Sequence, residues 1–239
     1  MKIKEKQSSA KLWLGEYIYA LMGLIYPSNC RLCGEGLSPQ MTLVCPSCWE
    51  ELLGYRPIVR RKNSIVKGVP IYGSFSLAPH QEKARELVHL IKYEDFFVLV
   101  GRWIKGAVGS LTPLKDFSVD VIVPVPLHHT RRRERGYDQA LIITRHLADV
   151  LGMELKPRAL KRTRATRPMV EVAGHERLSN VEDAFACRKG TDLAGAGVLV
   201  VDDVYTTGAT ISQAAKALYS AGAGRVFSFT LTRAGEQVD

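Results

Sequence analysis

At 239 residues, 46% of them hydrophobic and 24% charged, the chain allows one medium domain with an attachment or two small ones, and it is too apolar to be disordered. Thirty-three Lys and Arg against 24 Asp and Glu leave a net charge of +9, an excess that favours phosphates, nucleic acid or acidic lipid surfaces as partners. The apolar stretch from Tyr17 to Tyr26 is far shorter than the ~20 residues of a membrane span, no small-residue cleavage site follows it, and five cysteines are too few for a disulfide scaffold; a globular cytoplasmic protein with no membrane span is expected.

In chain order, Leu14, Tyr17, Ile18, Leu21 and Ile25 fall at helical spacing and predict an amphipathic helix over residues 10–25, ending near Pro27. The turn-rich segment from Cys30 to Cys48 is too short to build a core without a metal or another surface. Residues 1–60 therefore read as an attachment and 61–239 as the main domain. Val69 to Leu77 reads as a strand, and Glu82 to Val108 as broadly helical, with Leu87, Leu90 and Ile91 on its apolar face. From Val119 onward, short apolar runs (Val119 to Val125, Met153 to Lys156, Val198 to Val201, Val226 to Leu231) alternate with helical stretches, Asp138 to Leu151 and Thr210 to Ala221. Gly222 and Gly224 mark a helix stop before the last strand. The pattern is that of an α/β fold, an open parallel sheet flanked by helices.

Cys30, Cys33, Cys45 and Cys48 form two Cys-x-x-Cys pairs eleven residues apart, so that two tight turns can each present two thiolates to one tetrahedral ion. One pair would suffice for redox chemistry; two favour zinc. Four thiolates close the coordination sphere, which makes the ion structural and the N-terminal segment a zinc ribbon. Cys187, beside Ala184-Phe185-Ala186, reads as a small core residue.

The segment from Val198 to Thr210 joins a buried strand, two adjacent carboxylates and a hydroxyl-rich turn that opens a helix. At the C-terminal end of a parallel strand, Asp202 and Asp203 would face the crevice where open α/β sheets bind ligands. Neighbouring acids repel each other unless they accept bonds from vicinal sugar hydroxyls or help hold a hydrated magnesium ion. Thr206, Thr207, Gly208, Ala209 and Thr210 supply hydroxyls and helix-terminal N–H groups suited to a monophosphate. The chain has neither a Gly-Lys-Ser/Thr phosphate loop nor a complete G-x-G-x-x-G after a strand, which excludes the common ATP and dinucleotide folds.

This segment resembles the thirteen-residue phosphoribosyl pyrophosphate (PRPP) motif of type I phosphoribosyltransferases. The resemblance implies that Asp202 and Asp203 bind the ribose 2′ and 3′ hydroxyls, that Thr206 to Thr210 bind the 5-phosphate, and that magnesium accompanies the ligand. Val123-Pro-Val-Pro-Leu127, Arg131 to Arg133, Arg135-Gly-Tyr-Asp-Gln139 and Glu176-Arg177-Leu-Ser-Asn-Val-Glu-Asp-Ala-Phe185, taken with the four-cysteine ribbon, are similar to the ComF family of competence-associated, phosphoribosyltransferase-like proteins. That likeness implies a pyrophosphate-binding loop at Pro126, Leu127 and His128, assisted by Arg131 and Arg135. Asp138 stands where the family usually has Asn, and Met169 where it often has Gln. Lys161, Arg162, Arg164, Arg167 and Arg177, with Pro168 and Gly174, have the composition of a loop that closes over an anion.

Transfer from PRPP needs positioning, neutralisation of the departing diphosphate and exclusion of water. By resemblance, 6-oxopurine transferases carry an acid where this chain has Thr206, so hypoxanthine or guanine salvage is not expected. No catalytic base stands out: His80, His89, His146 and His175 read as surface or helix-face residues, and only His128 and His129 follow the pyrophosphate-type loop. Two readings stay open. One is a glycosyltransferase using PRPP, magnesium and an unidentified acceptor. The other is a single-stranded DNA-binding or adaptor protein of natural transformation, with a regulatory or vestigial PRPP site, working with the competence helicase or other DNA-uptake proteins; Trp49, Tyr93 and Tyr137 are its candidate stacking residues.

Overall fold

In the computed structural model, residues 29–37, 43–61, 63–163 and 184–235 are described. The helix expected over residues 10–25, and Arg164, Arg167 and Arg177 of the expected closing loop, lie outside them. The chain divides into two compact units, residues 1–54 and 55–239.

In the first unit, Cys30 to Cys33 make a turn closed by Gly34 N–H donating to Cys30 O at 2.8 Å, with Gly34 at φ 77°. The second cysteine pair departs from the two-turn expectation. Cys45 precedes helix α1 (Pro46–Gly54) and Cys48 lies in its first turn, so Pro46 supplies the preset φ of a helix start. Cys48, Trp49 and Leu52 form the buried stripe of α1. Trp49 is only 4% exposed, which removes it from the candidate stacking residues.

The second unit opens with β1 (Ile58–Arg60) and a hairpin of β2 (Ser64–Val66) and β3 (Val69–Ile71), followed by β4 (Gly73–Pro79). The single strand expected over Val69 to Leu77 is thus two, divided at Tyr72, because β3 pairs with β2 while β4 enters the main sheet. The long helical stretch also divides, into α2 (Glu82–Tyr93) and α3 (Val98–Gly106), before a 3-10 segment (Val108–Asp116). Asp95, at φ 61°, lies in the left-handed region that stops an α-helix. Then come β5 (Val121–Pro124), α4 (His129–Arg135), α5 (Gln139–Leu151), β6 (Glu154–Leu155), β7 (Leu160–Arg162), β8 (Phe185–Cys187), β9 (Gly197–Tyr205), α6 (Ala209–Ser220) and β10 (Arg225–Arg233). Lys161 and Arg162, expected in a loop, lie on β7, which pairs with β8.

The main sheet runs β1-β4-β10-β9-β5-β6 and is parallel apart from the antiparallel edge strand β1. From β5 the chain crosses through α5 to β6, and from β9 it crosses through α6 to β10 in the opposite direction. Right-handed crossovers in opposite directions put α5 and α6 on opposite faces of the sheet, and they make the β5–β9 junction the switch point at which a crevice opens beyond the strand ends. One core packs Val121, Val123, Val198, Val200 and Val226 against Ile211, Ala214 and Leu218 of α6. On the other sheet face, Leu199, Val201, Phe75 and Phe229 are buried, the two phenylalanine rings stacked at 5.5 Å.

Candidate functional site

Strand β9 does not stop before the acids; it carries them to Tyr205. Since side chains alternate along a strand, Asp202 shares the face of Val198 and Val200, and Asp203 that of Leu199 and Val201. The pair therefore lies at the switch point, but with each carboxylate in a different setting.

Asp203 is buried. Its Oδ1 lies 3.0 Å from Lys92 Nζ, in the last turn of α2, and its Oδ2 accepts from Gln139 Nε2 at 3.0 Å, at the start of α5. Burial alone would raise its pKa, but Lys92 and Gln139 outweigh that and hold Asp203 below the usual carboxylate range. Asp202 is partly buried, and its Oδ1 accepts the Asp203 N–H at 2.9 Å. Burial, reinforced by the neighbouring charge of Asp203, pushes Asp202 up to about 7. Arg162 on β7 is near enough to act electrostatically on Asp202.

After Tyr205 the chain turns through Thr206 and Thr207 to Gly208, the N-cap of α6, at φ 74°. A Cβ there would overlap Tyr205 Oη and come within 2.5 Å of Val66 Cγ1, so only glycine fits this turn. Thr207 Oγ1 accepts the Ala209 N–H at 3.4 Å, and the next amides of the first turn point out of the helix end without intrahelical acceptors. Thr210 lies inside the first turn of the helix. The result is a positively polarised helix end that follows Asp202 and Asp203 directly in the chain.

The Pro126 to His128 loop joins the end of β5, the strand beside β9, to α4. Asp138 braces it: Oδ1 caps α5 by accepting Leu141 N–H at 3.2 Å, and Oδ2 accepts Leu127 N–H at 3.4 Å. An Asn could accept through only one oxygen, so Asp at this position is an able substitute. His128 caps α4, its Nδ1 accepting from Thr130 N–H at 3.4 Å, and burial and the adjacent His129 lower its pKa. Of the expected cations, Arg131 lies close enough to Arg162 to disfavour its charge, while the Arg135 guanidinium sits 5.1 Å from the Tyr93 ring centroid and helps to lower Asp203. Tyr93 and Phe97 are exposed, and Phe97 contacts the Tyr137 ring at 5.3 Å, so two of the candidate stacking residues share one surface with Arg135.

Residue reading alone did not assign Lys92, Gln139 or His80 to the site. His80, at the end of β4, bonds Thr232 Oγ1 at 2.8 Å through Nδ1; burial, then Lys92, lowers its pKa, and Asp203 pulls against them. It lies inside the strand-end cluster rather than on an open surface. Gln139 Oε1 is buried without a hydrogen-bond partner. An acceptor left over beside Asp203 suits a ligand that brings hydroxyl or water donors, which sugar hydroxyls and hydrated magnesium both do.

In the first unit, the four cysteine sulfurs all lie within 4.8 Å of one another, with Cys30–Cys48 at 3.8 Å and Cys33–Cys45 at 3.7 Å. These separations are too long for disulfides and match the about 3.8 Å edge of a tetrahedron with ~2.3 Å metal–sulfur bonds. Burial opposes ionisation of Cys30, but the amide donors of Cys45, Leu32 and Cys33 bring it down to about 6. The cluster can hold one metal ion. Cys187 stands apart, its thiol donating to Ala217 O at 3.3 Å within the α6 core.

Residues 138–239 match the phosphoribosyl transferase domain. Competence protein F of Haemophilus influenzae is 31% identical over 196 residues, 80% of this chain and 84% of that protein. The chain belongs to the ComF family. DNA utilization protein YhgH of Salmonella typhimurium is 27% identical over 208 residues, 85% of this chain and 89% of its own. Competence protein ComFC of Bacillus subtilis is 26% identical over 210 residues, at 85% and 77%. Within this ComF chain, the matched domain begins at Asp138, the brace of the Pro126 to His128 loop, and includes both acids and the Gly208 turn. Among the described residues, no helix is long and apolar enough to cross a membrane.

Proposed function

We propose that this ComF protein binds PRPP with magnesium at the switch point and acts in DNA uptake. The observation that carries the reading is the continuity of β9, Asp202, Asp203 and the Gly208 turn: two carboxylates and a helix N-terminus lie within one short span of chain. Asp202 and Asp203 would accept the ribose hydroxyls and the waters of magnesium. The turn from Thr206 to Thr210 would take the 5-phosphate. Pro126, Leu127 and His128 shape the diphosphate side, with Arg131 and Arg135 adding positive charge. Magnesium, when bound with the ligand, supplies charge neutralisation to the diphosphate. Zinc is the metal assigned to the four cysteines, on the donor set and its spacing. DNA uptake rests on the names of the similar proteins.

Calorimetric titration of PRPP and magnesium tests the site before any acceptor is known. The wild-type chain is expected to bind, and the double variant Asp202→Asn, Asp203→Asn to lose binding. Equal binding by both would sink the assignment. Pyrophosphate release across a panel of acceptors then decides whether transfer takes place.

A second activity, binding of single-stranded DNA, is favoured by the juxtaposition of Tyr93, Phe97 and Tyr137 with Arg135 of the basic helix α4, and by a groove lined by Lys156, Arg158, Arg188 and Lys189. Binding to a labelled oligonucleotide should fall steeply with salt. Undetectable or salt-insensitive binding removes it.

A further inference from the structure

Lys92 pairs directly with one of the proposed ribose acids, and neither motif contains it. Its ammonium meets Asp203 Oδ1 at 3.0 Å while Gln139 meets Oδ2, so the carboxylate that would grasp a sugar hydroxyl has both oxygens engaged. The pair is not sealed: the Lys92 side chain is 21% exposed against 8% for Asp203, and the next residue, Tyr93, is 55% exposed. Buried ion pairs seldom stabilise a fold better than apolar side chains of the same volume, so a purely structural reason for this one is weak. Lysine is also the cation best able to move, with a compact charge on a flexible four-carbon stem.

The ligand's covalent structure supplies the destination. In PRPP the ribose carbon bearing the diphosphate adjoins the carbon bearing the 2-hydroxyl. A cation displaced from a carboxylate that receives the 2-hydroxyl therefore has the diphosphate as its neighbouring anion. Arg135 also acts on Asp203, from a position over the Tyr93 ring.

We propose that Lys92 is a diphosphate-binding residue that guards Asp203 in the ligand-free protein and passes its ammonium to the diphosphate when the sugar takes the carboxylate. The inference rests on the ribose reading of Asp203. In the exchange Asp203 trades a cation for hydroxyl donors, and the diphosphate gains that cation.

The test compares PRPP plus magnesium with ribose 5-phosphate, which has the same sugar and 5-phosphate but no diphosphate, by calorimetry on wild type, Lys92→Met and Lys92→Arg. Lys92→Met should weaken PRPP binding about tenfold or more, the loss of one charge-assisted contact, while ribose 5-phosphate binds as well as before or better. Lys92→Arg should recover part of the PRPP affinity. Equal weakening of both ligands would mean that Lys92 only holds Asp203 in place, and unchanged PRPP binding that the pair is structural; either overturns the proposal. A wild-type chain that binds neither ligand overturns the ribose reading beneath it as well. Thermal melts establish that each variant is folded, and Lys92→Gln serves the same comparison if the Met variant is not.

Discussion

Adjacent carboxylates in one strand end up with different proton affinities because the strand turns them to different surroundings. Asp202, raised to about 7 by burial and by its neighbour, keeps its proton in the folded chain at pH values where the unfolded chain has released it. The stability this group contributes is therefore full below about pH 4, where both states are protonated, and is lost as pH rises toward 7. Asp203 is lowered and acts with the opposite sign, gaining stability above the unfolded value and losing it only in acid. Lowered His80 and His128 act with the opposite sign over the same range, so the expected signature is a difference: between pH 5 and pH 7 the melting temperature of the ligand-free wild type should decline relative to that of Asp202→Asn. A steeper slope in the variant would contradict the assignment. Gly208 is the other residue whose role is decided by local geometry. Gly208→Ala forces a Cβ into Tyr205 and Val66 at a left-handed φ, so PRPP affinity should drop at least tenfold by calorimetry, with a destabilisation of roughly 1–3 kcal/mol.

The secondary-structure elements show how a site at one end of a sheet depends on glycines at the other. Gly197 opens β9 by donating to Asp120 Oδ2 at 2.7 Å, while its carbonyl accepts the Asp120 N–H at 2.8 Å. A Cβ at Gly197 would overlap the Ser118 carbonyl oxygen, which is backbone and cannot rotate away. Gly197→Ala should therefore lower the melting temperature by several degrees, the consequence of about 2 kcal/mol or more. The same measurement reads the helical layer: Trp103 of α3 is fully buried, and Trp103→Ala should cost about 3–5 kcal/mol. Apolar periodicity identifies α3 as helical but runs straight on from α2. The break at residues 94–97 is a tertiary outcome, since it brings Phe97 against Tyr137 and lets the Tyr137 hydroxyl donate to Ile91 O.

For the whole molecule, the four-cysteine cluster lies within residues 1–54 and the acid pair, its counter-ions and the Gly208 turn within 55–239. Cys48→Ser should reduce zinc from one ion per chain to none by elemental analysis and leave PRPP affinity unchanged; a parallel loss of PRPP binding would show the two functions to be coupled. The two Cys-x-x-Cys pairs and the segment from Val198 to Thr210 are legible as candidate sites in the bare sequence because each is built largely from residues near one another in the chain, where spacing alone fixes which groups can converge. Alternating apolar runs likewise identify the α/β class, since burial on both faces leaves a continuous hydrophobic strand. Sheet order is not local: it sets β4, β10, β9 and β5 side by side out of chain sequence, and so brings His80, Lys92 and Gln139 to Asp203, the last across 64 positions. Only the folded chain selects those partners, because a carboxylate carries no mark of which cation will be packed against it until the crossovers have chosen its neighbours.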